Sequence, residues 1–405
     1  MASKRRRRFS ETIPVGEGRS VKFRRARRAD RAELVALYGR LYGEDYPLEI
    51  IRDQAVFYHS IESPAYFWPV MVAPEGDIVG SLMFSWEERH GLCKVFGAVI
   101  DPEWQGHDLM RRAIVAGLDF LQDEGAGWDV VYATTRTVSP APEKLVRRIG
   151  FKTLGIFPNV RKVKQFETHG LNVYFRKGAL DKRLLGPRLI PELLDLYNLA
   201  RELCELPDEA VVEPVTLPTP EPWDLDFTIV RDAAEVARRF DEAHEQKRIR
   251  FSFFPFHEPQ ILLLSKDGAS EVFLHHNTFD NYGAIVGLRS DRVDVAGFLH
   301  QVCLTAASLG LRYIELLVSA FDPLKQRQAF NAHFIPCAYF PAMKPVEEGR
   351  RMDYLVFSRS YENLDFTNLK FSGDAVRYLD VFMKCWYWHQ LRDEPDYDQW
   401  DRLVP

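Results

Sequence analysis

The stretch VIDPEWQGHDLMRRAI, Val99 to Ile114, carries the signal that sets the fold. It begins with apolar, β-forming residues. Its middle, DPEWQGHD, is rich in turn formers, and its end places apolar residues at helical spacing. A strand ends, a loop turns and a helix starts near Leu109. The first amides of a helix have no partner within it, and with the helix dipole they favour an anion.

The same alternation extends outward. VKFRRARR from Val21 reads as a strand edge, and Asp30 with Glu33 marks a helix carrying Leu34, Leu37, Tyr38 and Leu41. A second helical piece is expected over 48–60. YFWPVMVAP, IVGSLMFSWEE and LCKVFGAVI read as a three-strand meander. After the 109–122 helix come the strand WDVVYATT, the short helix PEKLVRRIG and the strands FKTLGIF and GLNVYFRKG. The pattern predicts an α/β fold with a mixed central sheet flanked by helices.

The order then repeats. Asp232 with Glu235 opens a second helix of this kind, YGAIV matches FGAVI at an offset of 186, and Phe340-Pro341 matches Phe157-Pro158 at 183. Internal duplication follows. The expected organisation is a basic, disordered tail over 1–20, a first domain over 21–180, a helical connection and Pro-rich linker over 181–223, and a second domain over 224–405. The linker rests on the five prolines of LPDEAVVEPVTLPTPEPWDLD. A C-terminal helix is expected near 374–389.

Composition narrows the function. The 405 residues are 46% hydrophobic and 27% charged, enough for two cores, with a net charge of −5. That balance argues against nucleic acid as a partner. The basic run Lys4 to Arg8 is read as a solvated tail. No apolar stretch is long enough to span a bilayer and no apolar run follows the basic one, so neither membrane nor export is expected. Five scattered cysteines without a C-x-x-C suit reduced thiols and a cytoplasmic location. No metal is expected, because His275 and His276 are neighbours that point to opposite faces of a strand.

The 99–114 segment resembles the acyl-CoA-binding motif of the GCN5-related N-acetyltransferase (GNAT) family, V-x-P-x-x-Q/R-G-x-G-x-G/A, through Ile100, Pro102, Glu103, Gln105, Gly106 and His107. EKLVRRIGF, Glu143 to Phe151, is similar to the helix-to-strand segment that follows it in that family. The resemblance covers 21–178 and reaches the rest only by repetition. It implies two tandem GNAT-like domains, the second degenerate, since GLRSDRVDVAGF places Asp294 opposite Asp108 and has no Q-G element. It further implies acetyl-CoA or another acyl-CoA as donor, held by Val99, Ile100, Gln105, Gly106, His107, Asp108, Leu109, Met110 and Arg111. The acyl group would pass directly to an amine on a small molecule or peptide, in a monomer or homodimer.

Departures from the pattern are specific. Asp108 and Met110 replace small residues, and a carboxylate at 108 would repel a pyrophosphate or cap the helix itself. Val146 stands where the family often has a tyrosine, and Ser139 where it often has an asparagine. Glu87, Glu88 and Tyr132 are the candidate catalytic groups. The two glutamates follow the second meander strand near the expected acceptor groove, and Tyr132 follows a buried strand. The bland readings are a solvated hairpin for the glutamates and a core aromatic for Tyr132. Two other functions fit the departures: a non-catalytic ligand-binding or scaffold protein, and an acyltransferase with a carrier-protein-linked donor.

Overall fold

The computed structural model describes residues 9–16, 18–43, 48–125, 127–218, 226–291, 294–370 and 373–391. The first half contains β1 (Ser10–Gly16), β2 (Arg19–Arg25), α1 (Arg31–Tyr42), α2 (Glu49–Arg52), α3 (Gln54–Glu62), β3 (Tyr66–Phe67), β4 (Pro69–Val72), β5 (Ile78–Glu87) and β6 (Leu92–Ile100). It continues with α4 (Leu109–Asp123), β7 (Val130–Arg136), α5 (Ala141–Ile149), β8 (Lys152–Lys162) and β9 (Phe166–Phe175). A connection holds β10 (Arg188–Leu189), α6 (Leu194–Cys204) and β11 (Val211–Val212). The second half contains β12 (Phe227–Val230), α7 (Ala233–Glu245), β13 (Ile261–Ser265), β14 (Ser270–Asn277), β15 (Tyr282–Ser290), α8 (Val295–Ser308), β16 (Tyr313–Ser319), α9 (Pro323–Asn331), β17 (Ile335–Pro345), β18 (Arg351–Ser360) and α10 (Asp374–Leu391).

One mixed sheet runs through both halves in the order β1-β2-β4-β5-β6-β7-β9-β8-β17-β18-β16-β15-β14-β13-β12, with β3 beside β5. From β2 to β8 and from β12 to β17 the strands follow the same order. In each half one neighbouring pair is parallel, β6 with β7 and β15 with β16, and the others are antiparallel. Among the described residues the two halves of the sheet join where Gly155 on β8 pairs with Ala338 on β17. A Cβ on Gly155 would lie 2.3 Å from the Ala338 Cβ and 2.5 Å from the Cys337 carbonyl, so only glycine permits this approach.

Packing continues across the junction. One apolar cluster combines Leu154, Ile156 and Leu171 with Leu316, Phe340 and Tyr378, and α6 and α10 both cover β8 and β17. Arg183, 2% exposed, donates to both carboxylate oxygens of Asp353, which also accepts from the Tyr339 hydroxyl at 2.7 Å and the Ala342 amide at 2.8 Å. Arg351, equally buried, donates to the carbonyls of Met343 and His90 and pairs with Asp129 at 3.1 Å, tying β18 to the first half.

Three expectations change. Order begins earlier than Val21: β1 pairs antiparallel with β2, and Phe9 meets Phe67 and Phe120 edge-on at 5.0 and 5.2 Å, so 9–16 is no disordered tail. Lys4 to Arg8 lie outside the described residues. The start of the proposed linker is held in place: β11 pairs with β10, Glu213 bonds Arg188, and Leu206 is buried. The FGAVI and YGAIV runs match in letters but not in register. The parallel ladders start at Leu92 and at Tyr282, an offset of 190, whereas Phe157 and Phe340 are equivalent as expected. Runs of small apolar residues slip easily in an alignment, and the phenylalanine–proline pair does not.

Gly155→Val is expected to destabilise the chain by about 1–3 kcal/mol or more, read as a lower denaturant midpoint for both halves together. Independent unfolding of the halves with an unchanged first transition would contradict the shared core.

Candidate functional site

The β6–β7 ladder runs from Leu92↔Val130 to Val95↔Ala133 and stops, although β6 continues to Ile100 and β7 to Arg136. A bulge in β6 between Phe96 and Val99, with Gly97 at φ +61°, bends the strand away. A wedge-shaped opening results. Tyr38 and Tyr42 of α1 donate to the carbonyls of Gly97 and Ala98, and Arg136 lies 5.2 Å from the Tyr42 ring, so Tyr42 leans across the wide end.

Beyond the end of β6, Asp101 caps a short turn over 102–104, Gly106 takes φ +85°, and α4 begins. The first intrahelical bond is Arg112 N–H to the Asp108 carbonyl at 3.1 Å, which leaves the amides of Leu109, Met110 and Arg111 at the open end. Asp108 adopts φ 58°, a left-handed conformation that aspartate tolerates better than most residues, and its side chain caps nothing. It accepts from Arg111 Nε at 2.7 Å instead, and the same contact raises the Arg111 guanidinium further above its ordinary value. The carboxylate expected to repel an anion is thus paired with the guanidinium three residues on. Gln105 and Gly106 are exposed and His107 is half-buried.

The second half closes both features. Its parallel ladder ends at Ile285↔Leu316, but beyond it Arg250 exchanges both backbone bonds with Leu288 at 2.6 and 2.9 Å. Ile249 fills the space beside Gly287, and Phe251 and Phe253 are buried. Asp294 caps α8 through the Gly297 amide at 2.9 Å. Phe251 and Phe256 hold φ of 50° and 64°, strained for bulky residues and sustained by this packing.

A cavity of about 190 Å³ lies between the halves. Lys94, Tyr132 and Thr134 line it from the first half, beside the point where the β6–β7 ladder ends. Glu315, Tyr282 and His275 line it from the second. Glu315 is 8% exposed; it accepts from the Tyr282 hydroxyl at 2.7 Å and from the Tyr313 hydroxyl at 3.2 Å. Burial pushes its carboxyl up to about 7, against the pull of those two hydroxyls and of Lys94. Lys94 shows part of its surface to the cavity but is enclosed by protein, and that enclosure, with Arg161 nearby, lowers its ammonium to about 8. Arg161 pairs with Asp280 at 3.0 Å. Burial brings His275 down to about 4 and His257 well below its usual value. A carboxyl near 7 and an amine near 8 lining one cavity are equipped for proton transfer at neutral pH.

Of the residues singled out from sequence, Val99, Ile100, Gln105, Gly106, His107, Asp108, Leu109, Met110 and Arg111 gather at one corner, although Val99, Leu109 and Met110 face the core. Tyr132 lines the cavity, with Phe256 and Phe340 edge-on at 5.7 and 6.0 Å. Glu87 is engaged elsewhere: it accepts from the Phe256 amide at 2.6 Å and meets His90, pinning the aromatic segment of the second half onto the first. Glu88 is exposed on a surface turn. Val146 is buried in the core of the first half. Sequence reasoning missed Lys94 and Glu315. Each is a lone charge inside an apolar strand run, LCKVFGAVI and RYIELLVS, and a charge placed there needs a partner or a function.

Among the described residues no helix is long and apolar enough to cross a membrane, and no His, Cys, Asp or Glu group could hold a metal ion. All five cysteines are free and buried. No family profile and no curated protein sequence matches the chain. Solved structures match part of it. A ribosomal-protein-S5-alanine acetyltransferase from Vibrio fischeri is 17% identical over 41% of this chain and 96% of its own, with a TM-score of 0.35. An acetyltransferase of the GNAT family from Streptococcus pneumoniae is 19% identical over 38% and 99%, at 0.34. A spermidine N-acetyltransferase from Vibrio cholerae, in complex with CoA and spermine, is 16% identical over 39% and 96%, at 0.34.

The Glu315 carboxyl gives a stability test. Its folded value near 7 exceeds the unfolded value of about 4.3. Below the latter it is neutral in both states. As pH rises toward 7 the unfolded chain releases the proton first, so stability falls, by on the order of 3 kcal/mol in all. Glu315→Gln is expected to gain on wild type in denaturant midpoint between pH 4.5 and 7.5. A difference that stays constant with pH would contradict this.

Proposed function

We propose that the chain is an N-acyltransferase that takes acetyl-CoA or another acyl-CoA as donor and passes the acyl group directly to an amine. The observation that carries this reading is the contrast between halves. The first half keeps an open strand wedge leading to uncapped helix amides, and the second fills the wedge with its own backbone and caps its helix. With the sequence resemblance at 99–114, the contrast favours a single donor site, in the first half. The donor's pyrophosphate would meet the amides of Gly106, His107 and the first turn of α4, and its pantetheine arm would lie along β6 in the wedge. Arg111, now paired with Asp108, would supply a charged donor if it turned to the phosphate.

The common strand order favours duplication as the origin of the halves, the second having lost donor binding. Direct transfer needs the amine and the thioester carbon side by side, with the amine deprotonated and a donor near the carbonyl oxygen. The β6 backbone beyond Val95, bent by the bulge, is the candidate for that donor. A second reading, binding without transfer, draws on Val146: an aliphatic side chain fills the place where the resemblance expects a phenol to protonate the leaving thiolate.

Calorimetric titration of the full chain with CoA tests the donor site. Micromolar binding is expected, weakened at least tenfold by Gln105→Glu with His107→Glu, and tightened by Asp108→Gly, which frees Arg111 for phosphate. Binding that survives the double change intact, or no binding by any variant, would contradict the assignment. Release of free thiol from acetyl-CoA with a mixture of amines separates transfer from mere binding.

A further inference from the structure

The cavity between the halves holds two opposite charges that the fold leaves without ion pairs. Arg161 and Asp280 satisfy each other. Among the described residues, neither Lys94 nor Glu315 has an oppositely charged group within 4.0 Å. Lys94 lies 5.9 Å from the Tyr132 ring and 5.8 Å from the Phe96 ring, and Glu315 accepts from the Tyr282 and Tyr313 hydroxyls. Phe157, Phe254, Phe340 and Leu317 give the cavity apolar walls.

Position ties this cavity to the wedge. Lys94 faces Tyr132 across the parallel ladder, one pair before its last rung. Thr134, the next cavity residue along β7, is exposed and marks the mouth. A ligand in the cavity therefore approaches the narrow end of the opening, where an acyl group on a pantetheine arm would arrive.

We propose that this cavity is the acceptor site, that its ligand is a small amino acid with an apolar or aromatic side chain, and that Glu315 takes the proton from the amino acid's amine. The inference rests on the donor reading given above. A zwitterion supplies both missing partners, its ammonium to Glu315 and its carboxylate to Lys94, while its side chain meets the aromatic walls. The volume fits: a cavity of about 150 Å³ accepts benzene, so one of about 190 Å³ encloses on the order of eight heavy atoms, the size of valine, and a larger side chain extends toward the exposed mouth at Thr134. The second half then contributes a catalytic residue and is more than scaffold.

The step balances. The ammonium gives one proton to the Glu315 carboxylate, and the freed lone pair attacks the thioester carbonyl carbon. The C–N bond forms, the C–S bond breaks as the tetrahedral intermediate collapses, and the nitrogen's surplus proton leaves with the thiolate as the free thiol. Around Glu315, Tyr282 and Tyr313 keep their protons well above neutral pH, and His257 and His275 have lost theirs below it. Arg161 and Asp280 pair with each other at 3.0 Å, and burial also lowers His169, the third histidine of the cavity lining. Within this lining, burial places the Glu315 carboxyl near 7 and the Lys94 ammonium near 8.

The test uses the full chain, acetyl-CoA, the apolar and aromatic L-amino acids, and isopentylamine as the counterpart of L-leucine without its carboxylate. An N-acetyl amino acid is expected by mass. Glu315→Gln should lower kcat at least a hundredfold, remove the inflection near pH 7, and leave CoA affinity unchanged. Lys94→Met should raise the KM for the amino acid at least tenfold and leave that for isopentylamine unchanged. Acylation of another amine by Glu315→Gln at the wild-type rate, with CoA bound normally, overturns this inference and spares the donor reading. CoA binding with no acylation of any of these acceptors does the same. Failure of wild type to bind CoA overturns the donor reading, and this inference with it.

Discussion

The contact between Gly155 and Ala338 is the constraint on which the rest of the molecule depends. It is a backbone pairing closer than any side chain at 155 would allow. By letting β8 and β17 touch, it turns two sheets into one and sets β14, β15 and β16 opposite the β6–β7 face. The buried Arg183–Asp353 pair and the Arg351 bridge to His90 and Asp129 then hold a relation the junction has already defined. Removing one partner of such a buried pair would leave the other charge uncompensated. Without the junction there is no cavity between the halves.

The two halves use the same topology for different ends. In each, a parallel strand pair parts partway along and a helix follows the outer strand. The difference lies in what enters the gap. The segment from Ile249 to Phe256 fills its own half's gap with backbone, then reaches across to bond Glu87 and cover Tyr132. A piece of chain that fills one gap thus also walls the cavity between the halves. The left-handed conformations of Phe251 and Phe256 show that packing, not local preference, holds it there.

Much of the fold was legible because it is written in local signals. The helix expected over 109–122 is α4, the one expected over 374–389 is α10, and Asp232 caps α7 through the Glu235 amide. Asp30 marked the right helix for another reason: it bonds Arg24 and the Arg27 amide and does not cap α1. The strand β1 was hidden by its polar outer face, since only pairing with β2 and the burial of Phe9 order it. The site divides in the same way. Its helix terminus follows from neighbours in sequence. The meeting of Lys94 with Glu315, more than two hundred residues apart, follows only from a sheet that closes at Gly155.

The central claim is that one half receives the acyl donor and the other cannot. Hydrogen exchange of the full chain with and without CoA tests it most directly. The account predicts slowed exchange in β6 beyond Val95 and in the first turn of α4 at Leu109 to Arg111, with none added at Val295 to Phe298 or in β15 beyond Ile285. Protection at the α8 terminus, or none at α4 under saturating CoA, would contradict it.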